Sequence, residues 1–393
     1  MSSATKIKKA FSLKNKVELI RGGKSYFSIL HDMIDNAQKT IQLQVYIFEE
    51  DETGKEVASK LINAANRGIR VQVLLDGYAS RGLSNGFKNS MREAGIQLRF
   101  FKPIFKGGNY YFGRRLHHKI VVCDGMVSLV GGINISDRYN DTLGAPAWLD
   151  WAVKVEGETS FELFKLCNQC YTKKPEDWLV MTKKNFIQGL DANLHCPVRI
   201  RRNDWVTGKN EISASYMEMF RNAHQEIIIM SSYFIPGLFF RNNIIKALKK
   251  GVKIKLILAG ISDVGIAKHA ERYLYRWALR HGIELYEYKH NILHGKIAVA
   301  DGKTVTIGSY NINDISALAS IELNLDVEDL SFSTVVHHEL MKIIDNDCKR
   351  ISPISVIRYY RPTERLLQWI SYETVRLLFT LFTFYFAKKR NAK

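Results

Sequence analysis

Cysteine, proline and long apolar runs are all scarce in these 393 residues, and each scarcity removes a class of protein. Five cysteines, an odd number in a chain with no secretory leader, do not make a disulfide framework, so a reduced compartment is expected. Cys167 and Cys170 have C-x-x-C spacing, but His195 and Cys196 stand too isolated to complete a zinc site, and two thiols on a helical stretch are preferred. No metal is expected. Seven prolines and 26 glycines exclude a low-complexity chain. The opening MSSATKIKKAFSLKNK lacks the apolar run of a signal peptide or a span, so export is not expected and the active site should face the cytoplasm. LLFTLFTFYFA, residues 377–387, is apolar but about half the length of a spanning helix. Extended backward it meets Arg376, Glu373 and Arg365. An interfacial helix anchored by Trp369, Tyr372 and the final KKR is preferred, with a helix packed on the domain as its rival.

Acid is also short: 39 Asp and Glu face 57 Lys and Arg, for a net charge of +18. Residues 1–24 carry seven basic residues against Glu18, and residues 349–393 carry ten against Glu364 and Glu373, so the ends hold +14 of the excess. Basic ends flanking apolar residues suit an anionic membrane surface better than a nucleic-acid groove, which spreads its charge. No nucleic-acid partner is expected. A merely solvated tail is the alternative.

What is present is an internal repeat. AQKTIQLQVYIF (37–48) returns as AHQEIIIMSSYF (223–234), NRGIRVQVLLD (66–76) as KKGVKIKLILAG (249–260), and AGIQLRFFK (94–102) as HGIELYEYK (281–289). The order is the same in both halves, so one architecture is used twice. Strands alternate with helices, and the near-continuous apolar strands predict two α/β/α units with mixed, largely parallel sheets. A pseudo-twofold relation would make their corresponding ends share one active site. The boundaries read as a basic arm 1–16, a first domain 17–172, a connecting segment 173–205, a second domain 206–350, and a basic, apolar tail 351–393.

The repeat ends on chemistry. His117-x-Lys119 and His294-x-Lys296 are each followed, with four residues between, by Asp124 and Asp301. Seven residues further stand Gly131-Gly132-Ile133-Asn134 and Gly308-Ser309-Tyr310-Asn311. At the head of a β-run, alternation puts the imidazole and ammonium on one face. Asp124-Gly125 and Asp301-Gly302 read as hairpin turns that return Asn134 and Asn311 toward the histidines. Small residues before each Asn would let backbone N–H groups approach an anionic ligand. Two copies at equal offsets argue for a functional site, whereas His118, His337 and His338 read as surface or core residues.

The doubled H-x-K-x4-D with its following G-[GS]-x-N resembles the signature of the phospholipase D superfamily over about residues 17–345. YIFEEDETG (46–54), ANRGIRVQVLLDGYAS (65–80) and VGGINISDRY (130–139) are similar to bacterial cardiolipin synthases of the short type. The resemblance implies a two-step displacement without cofactor: His117 attacks the phosphodiester phosphorus, and His294 protonates the leaving alkoxide and later deprotonates the acceptor. Lys119, Lys296, Asn134 and Asn311 would hold the phosphoryl oxygens, with Ser309 as a further donor. Glu322 and Asp150 would orient the imidazoles. Asp124 and Asp301 belong to the signature but read as structural, with nearby basic groups as the expected partners. Gly132 supplies no hydroxyl and is left with backbone donation, and Asn313 and Ser320 depart from the family's usual residues. The implied substrates are phospholipids, phosphatidylglycerol first among them, at the cytoplasmic face of a membrane. Tyr110, Tyr111 and Phe112 read as an acyl-chain entrance or as core. A hydrolase or nuclease using the same histidines is the competing reading, and the oligomeric state is left open.

Overall fold

Two Asp-Gly turns set the geometry of both halves. Asp124 and Gly125 have φ of 56° and 68°, and Asp301 and Gly302 have φ of 52° and 59°, the left-handed pair that a tight hairpin matched to strand twist requires. The structure, a computed structural model, describes residues 11–102, 105–106, 109–110, 114–142, 144–171, 186, 190–191, 194–313, 320–354 and 362–391. The side chains of Tyr110, Tyr111 and Phe112, most of the 173–205 segment and the side chains beyond Leu378 lie outside the described residues.

The first sheet is built from β1 (Asn15–Arg21), β2 (Thr40–Val45), β3 (Arg70–Asp76), β4 (Gln97–Phe101), β5 (Lys119–Cys123), β6 (Val127–Gly131) and β7 (Trp151–Gly157). Their spatial order is β1-β7-β6-β5-β2-β3-β4. The second sheet contains β8 (Val198–Asp204), β9 (Glu226–Ser231), β10 (Lys253–Ile261), β11 (Glu284–Ile292), β12 (Lys296–Ala300), β13 (Thr304–Gly308) and β14 (Ser320–Val327) in the order β8-β14-β13-β12-β9-β10-β11, with β15 (Cys348–Ile351) added at the edge. The two orders are the same. The repeat read from sequence is therefore a repeat of topology.

Two expectations need correction. The sheets are mixed, but parallel neighbours within each core order are confined to β2-β3-β4 and β9-β10-β11. Parallel pairing needs a helical crossover, and among sequential neighbours paired in the sheets the described α-helices intervene only there; the Asp-Gly hairpins make the centre antiparallel. Val198–Asp204, assigned from sequence to the connecting segment, is β8, the counterpart of β1.

Helices cover the outer faces. Lys24–Asn36 (α1), Glu52–Asn66 (α2) and Asn85–Glu93 (α3) bury Leu30, Ile34, Leu61 and Met91 against the first sheet. Asp51 accepts a hydrogen bond from the Gly54 amide (2.9 Å) and so caps α2. Glu211–Asn222 (α5), Leu238–Lys249 (α6) and Tyr275–Arg280 (α8) cover the second sheet in the same way. Between the sheets lie Glu158–Tyr171 (α4) and Leu330–Asp347 (α9), in a core that joins Val122 and Val153 of one half to Val299 and Leu325 of the other. Cys167 and Cys170 sit on α4 as free thiols. Because each sheet is covered on both faces, every residue of β2, β5, β12 and β14 is buried, as continuous apolar strands predict. His118 is also buried, its Nδ1 3.2 Å from Gln44 Oε1, and burial pushes its pKa down to about 3.

Pro362–Asn391 forms the last helix, α10, which packs on Gly265–Tyr273 (α7) through Val375, Ala270 and Leu274. Tyr273 and Tyr372 stack with ring centroids 4.8 Å apart. Leu366, Leu367, Trp369, Ile370, Leu377 and Leu378 on α10 remain exposed. The helix thus docks on the body by one face and presents an apolar face outward. Among the described residues no helix is long and apolar enough to cross a membrane.

Candidate active site

Each histidine is delivered by a strand of one half adding to a strand of the other. Arg115–Leu116 pairs in parallel with Ser320–Ile321 at the start of β14, and the His117 amide donates to Ile321 O (3.0 Å). Reciprocally, Leu149 bridges Leu293, and the His294 amide donates to Leu149 O (2.7 Å). The next residue on the receiving strand is in each case a buried carboxylate. His117 Nδ1 lies 2.8 Å from Glu322 Oε2, and His294 Nδ1 lies 2.6 Å from Asp150 Oδ2. Neither half can form its imidazole–carboxylate pair alone.

The lysines stand two residues on, as strand alternation requires. Lys119 Nζ donates to His117 O (2.9 Å) and lies 5.1 Å from the centre of the Tyr46 ring. Lys296 Nζ donates to Ser232 Oγ (2.9 Å) and to His294 O. Tyr46 and Ser232 occupy equivalent positions of the repeat, the second residues of VYIF (45–48) and SSYF (231–234), and their contact with the lysines is not legible in the sequence. Tyr46 packs edge-on to His117 with centroids 4.8 Å apart, and Tyr139 does the same to His294 at 5.2 Å. Asn134 Oδ1 accepts from the Ile47 amide (3.1 Å), and its Nδ2 donates to Tyr139 Oη (2.9 Å). Asn311 is buried, and its Oδ1 has no hydrogen-bond partner among the described residues.

The two carboxylates are held differently. Glu322 accepts from Ser309 Oγ (2.5 Å) and from Ser320 Oγ (2.6 Å). Burial raises its pKa, but His117, Lys119 and the Ser309 hydroxyl outweigh burial and hold it below the usual carboxylate range. Ser309, expected as a phosphoryl donor, has its proton on Glu322, and Ser320 completes the same cradle. In the first half the equivalent of Ser309 is Gly132, and a Cβ there would stand 2.3 Å from Asp150 Oδ1. Glycine is required because the carboxylate fills the space. The Gly132 amide donates to Trp151 O (3.1 Å), inside the sheet, which corrects the expectation that it faces a ligand. Among the described residues the Asp150 carboxylate has the Trp151 amide (2.7 Å) as its one partner beside His294, and burial pushes its pKa up to about 7 against the pull of Lys296.

Burial likewise lowers the pKa of His117, opposed by Glu322. His294 is lowered further, by burial and then by Lys296, Lys119 and His117 together. Lys119 falls to about 7 and Lys296 to about 8, burial leading in both. Four groups whose charges repel share one desolvated place. An entering phosphodiester anion would relieve that repulsion and raise the proton affinity of His294.

Asp124 and Asp301 stand at the far ends of the five-residue strands that follow the histidines. Asp124 accepts from the amides of Gln38, Lys39 and Thr40, each at 2.8 Å. Asp301 accepts from His224 (2.8 Å), Gln225 and Glu226 (both 2.9 Å). Their partners are backbone amides at the entry to β2 and β9, away from the histidines, and among the described residues neither forms an ion pair. Asp301→Asn is expected to lower thermal stability while leaving the kcat of the folded enzyme unchanged. The three amides hold the Asp301 pKa below its ordinary value despite partial burial. Its contribution is therefore full above the unfolded value of about 4 and is lost as pH falls through the folded pKa. Melting curves of wild type and variant should converge on acidification. Curves that stay parallel to the lowest pH at which the protein folds would refute the assignment.

The family model described as cardiolipin synthase, PLD-like domain, matches residues 30–143 and 216–347, one copy in each half. Cardiolipin synthase B of Escherichia coli O6:H1 (strain CFT073) is 33% identical over 344 residues, covering 86% of this chain and 82% of that protein. Cardiolipin synthase 1 of Bacillus anthracis is 28% identical over 360 residues, covering 87% of this chain and 68% of its own length. Among solved structures, phosphatidylserine synthase of Haemophilus influenzae Rd KW20 superposes with a TM-score of 0.73 at 15% identity, over 94% of this chain and 97% of that one. That last likeness concerns the fold, which it shares nearly end to end. With both of its halves matched by the family model, the chain belongs to the phospholipase D superfamily, in the family of cardiolipin synthase PLD-like domains.

Proposed function

We propose that the protein is a phosphatidyltransferase that forms cardiolipin or a related phospholipid from phosphatidylglycerol and a second phospholipid, through a phosphohistidine. The crossed pairing of His117 with Glu322 and of His294 with Asp150 carries the proposal, because it makes one two-histidine site out of both halves. Glu322 accepts the Nδ1 proton of His117, so Nε2 presents its lone pair to phosphorus. His117 Nε2 attacks as the P–O bond to glycerol breaks, and His294 delivers a proton to the departing alkoxide. His294 then takes a proton from the acceptor hydroxyl, which displaces His117 and returns the enzyme to its starting state. Lys119, Lys296 and the two asparagines are assigned to the phosphoryl oxygens, where their charge and dipoles act in a dry site.

Relatives named cardiolipin synthase and the apolar, basic C-terminal helix support a lipid alcohol, rather than water, as acceptor. The same features support peripheral association with an anionic membrane surface at its cytoplasmic face. Given phosphatidylglycerol in vesicles or mixed micelles, the purified protein is expected to form cardiolipin and release glycerol. Phosphatidic acid as the dominant product, across mixtures that also contain phosphatidylethanolamine, would make water the acceptor and the enzyme a hydrolase.

A further inference from the structure

Where α10 crosses the second half, an open cavity of about 660 Å³ forms that neither His117 nor His294 lines. Its wall carries Arg241 from α6, Arg276 and Arg280 from α8, and Arg365 from α10, with Trp277 and Trp369 beside them. Among the described residues no Asp or Glu lines it. None of the four arginines forms an ion pair among the described residues, and Arg241 Nε is buried without a hydrogen-bond partner, its guanidinium 5.7 Å from the centre of the Trp277 ring. Arg276, Arg280 and Arg365 are exposed and Arg241 half-buried, so the four, brought by three helices to one concavity, raise a positive potential there that favours an anion. Guanidinium groups present forked donors that fit phosphate oxygens, and the apolar stems and indoles give the cavity walls.

The rim says which anion. Leu366 and Trp369 border the cavity, and Leu367 and Ile370 continue the exposed apolar face of α10. Leu238 and Phe239, 69% and 71% exposed, begin the helix that carries Arg241. A soluble phosphate needs no such surround, whereas a lipid phosphate arrives with acyl chains that those residues would meet. The cavity is also tied to the active site by one rigid element. Asp263, which accepts from Tyr233 Oη and whose charge reaches His294, lies two residues before α7; Tyr273, at the other end of α7, lines the cavity. Nine helical residues put the two ends of α7 about 12 Å apart.

We propose that this arginine cavity is a second, non-catalytic site for the phosphate of an anionic phospholipid, seating the α7–α10 platform on the bilayer beside the active site. The proposal rests on the reading that the enzyme works at a lipid surface, and does not depend on the histidine chemistry. Flotation of the full-length protein tests it, with vesicles of phosphatidylcholine alone or with added phosphatidylglycerol. Arg276→Gln with Arg280→Gln is expected to weaken binding to the anionic vesicles by tenfold or more, at about the strength that two basic residues contribute near such a surface. Lys246→Gln with Lys249→Gln removes the same charge from the exposed side of α6 and is expected to cost clearly less. Equal losses in the two pairs would reduce the effect to diffuse charge and overturn the site. Transfer activity in detergent micelles, where docking is not limiting, should be retained by the arginine pair. If that pair melts early, Arg365→Gln, exposed on a different helix, replaces it with the same expectation. Inorganic phosphate titrated against tryptophan fluorescence supplies the last arm. Saturation at concentrations that leave vesicle binding undisturbed would assign the cavity to a soluble anion and overturn the lipid.

Discussion

Replacing either His117 or His294 by alanine is expected to reduce turnover by at least about a thousandfold, because groups that act as one unit lose nearly everything when one is removed. Retention of more than about a tenth of wild-type activity by either variant would sink the assignment, since positioned acid–base help alone is worth roughly a hundredfold. A phosphodiester with a p-nitrophenyl leaving group separates the two roles. That group departs as an anion without a proton, so the first displacement no longer needs His294, while the second still needs it as base. His294→Ala should therefore release one p-nitrophenolate per active site in a burst and stall with the phosphoryl group on His117. His117→Ala should give no burst. The opposite pattern would exchange the nucleophile and the acid.

Much of this site is legible in the sequence, for a physical reason. The H-x-K pairs, the Asp-Gly turns and the strand pattern are local, and the repeat lets each half vouch for the other. What stayed hidden depends on how the halves face each other. The sequence points to Glu322 and Asp150 as orienting groups, but that each serves the histidine of the opposite half follows only from Leu116 adding to Ile321 and Leu149 to Leu293. The same holds for Ser320, a departure in sequence that becomes a donor to Glu322 once β14 is placed. Asp124 and Asp301 show the converse. Their fixed distance from the histidines looks chemical in a sequence, yet a five-residue strand carries them to its other end, where loop amides are waiting. Predominantly parallel sheets were expected because buried strands look alike in either direction. Only the hairpins told the directions apart.

The unequal environments of the two carboxylates give the second large effect. Asp150→Asn and Glu322→Gln are each expected to lower kcat by a hundredfold to about ten-thousandfold, since an amide no longer fixes the tautomer or steadies the imidazolium. Their stabilities should diverge. Burial lifts Asp150 to about 7, so the native state holds a proton that the unfolded chain releases near pH 4. Between those values the native state binds more protons, and stability attributable to Asp150 falls as pH rises. Asp150→Asn removes that slope, so its melting temperature relative to wild type should climb from about pH 4 to 7 even as activity is lost. Glu322 has the opposite sign. Its pKa is depressed in the folded state, so its contribution is present above the ordinary carboxylate value and disappears only in acid. Ser309, Ser320 and His117 all converge on its two oxygens, and an amide nitrogen there would face a hydroxyl proton instead of accepting it. Glu322→Gln should accordingly be less stable than wild type at neutral pH, with the deficit shrinking on acidification. The test is melting temperature against pH for the three proteins. Two variants moving in parallel would mean that the carboxylates are equivalent, and that the cradle of two serines around one and the glycine beside the other do not set their protons apart.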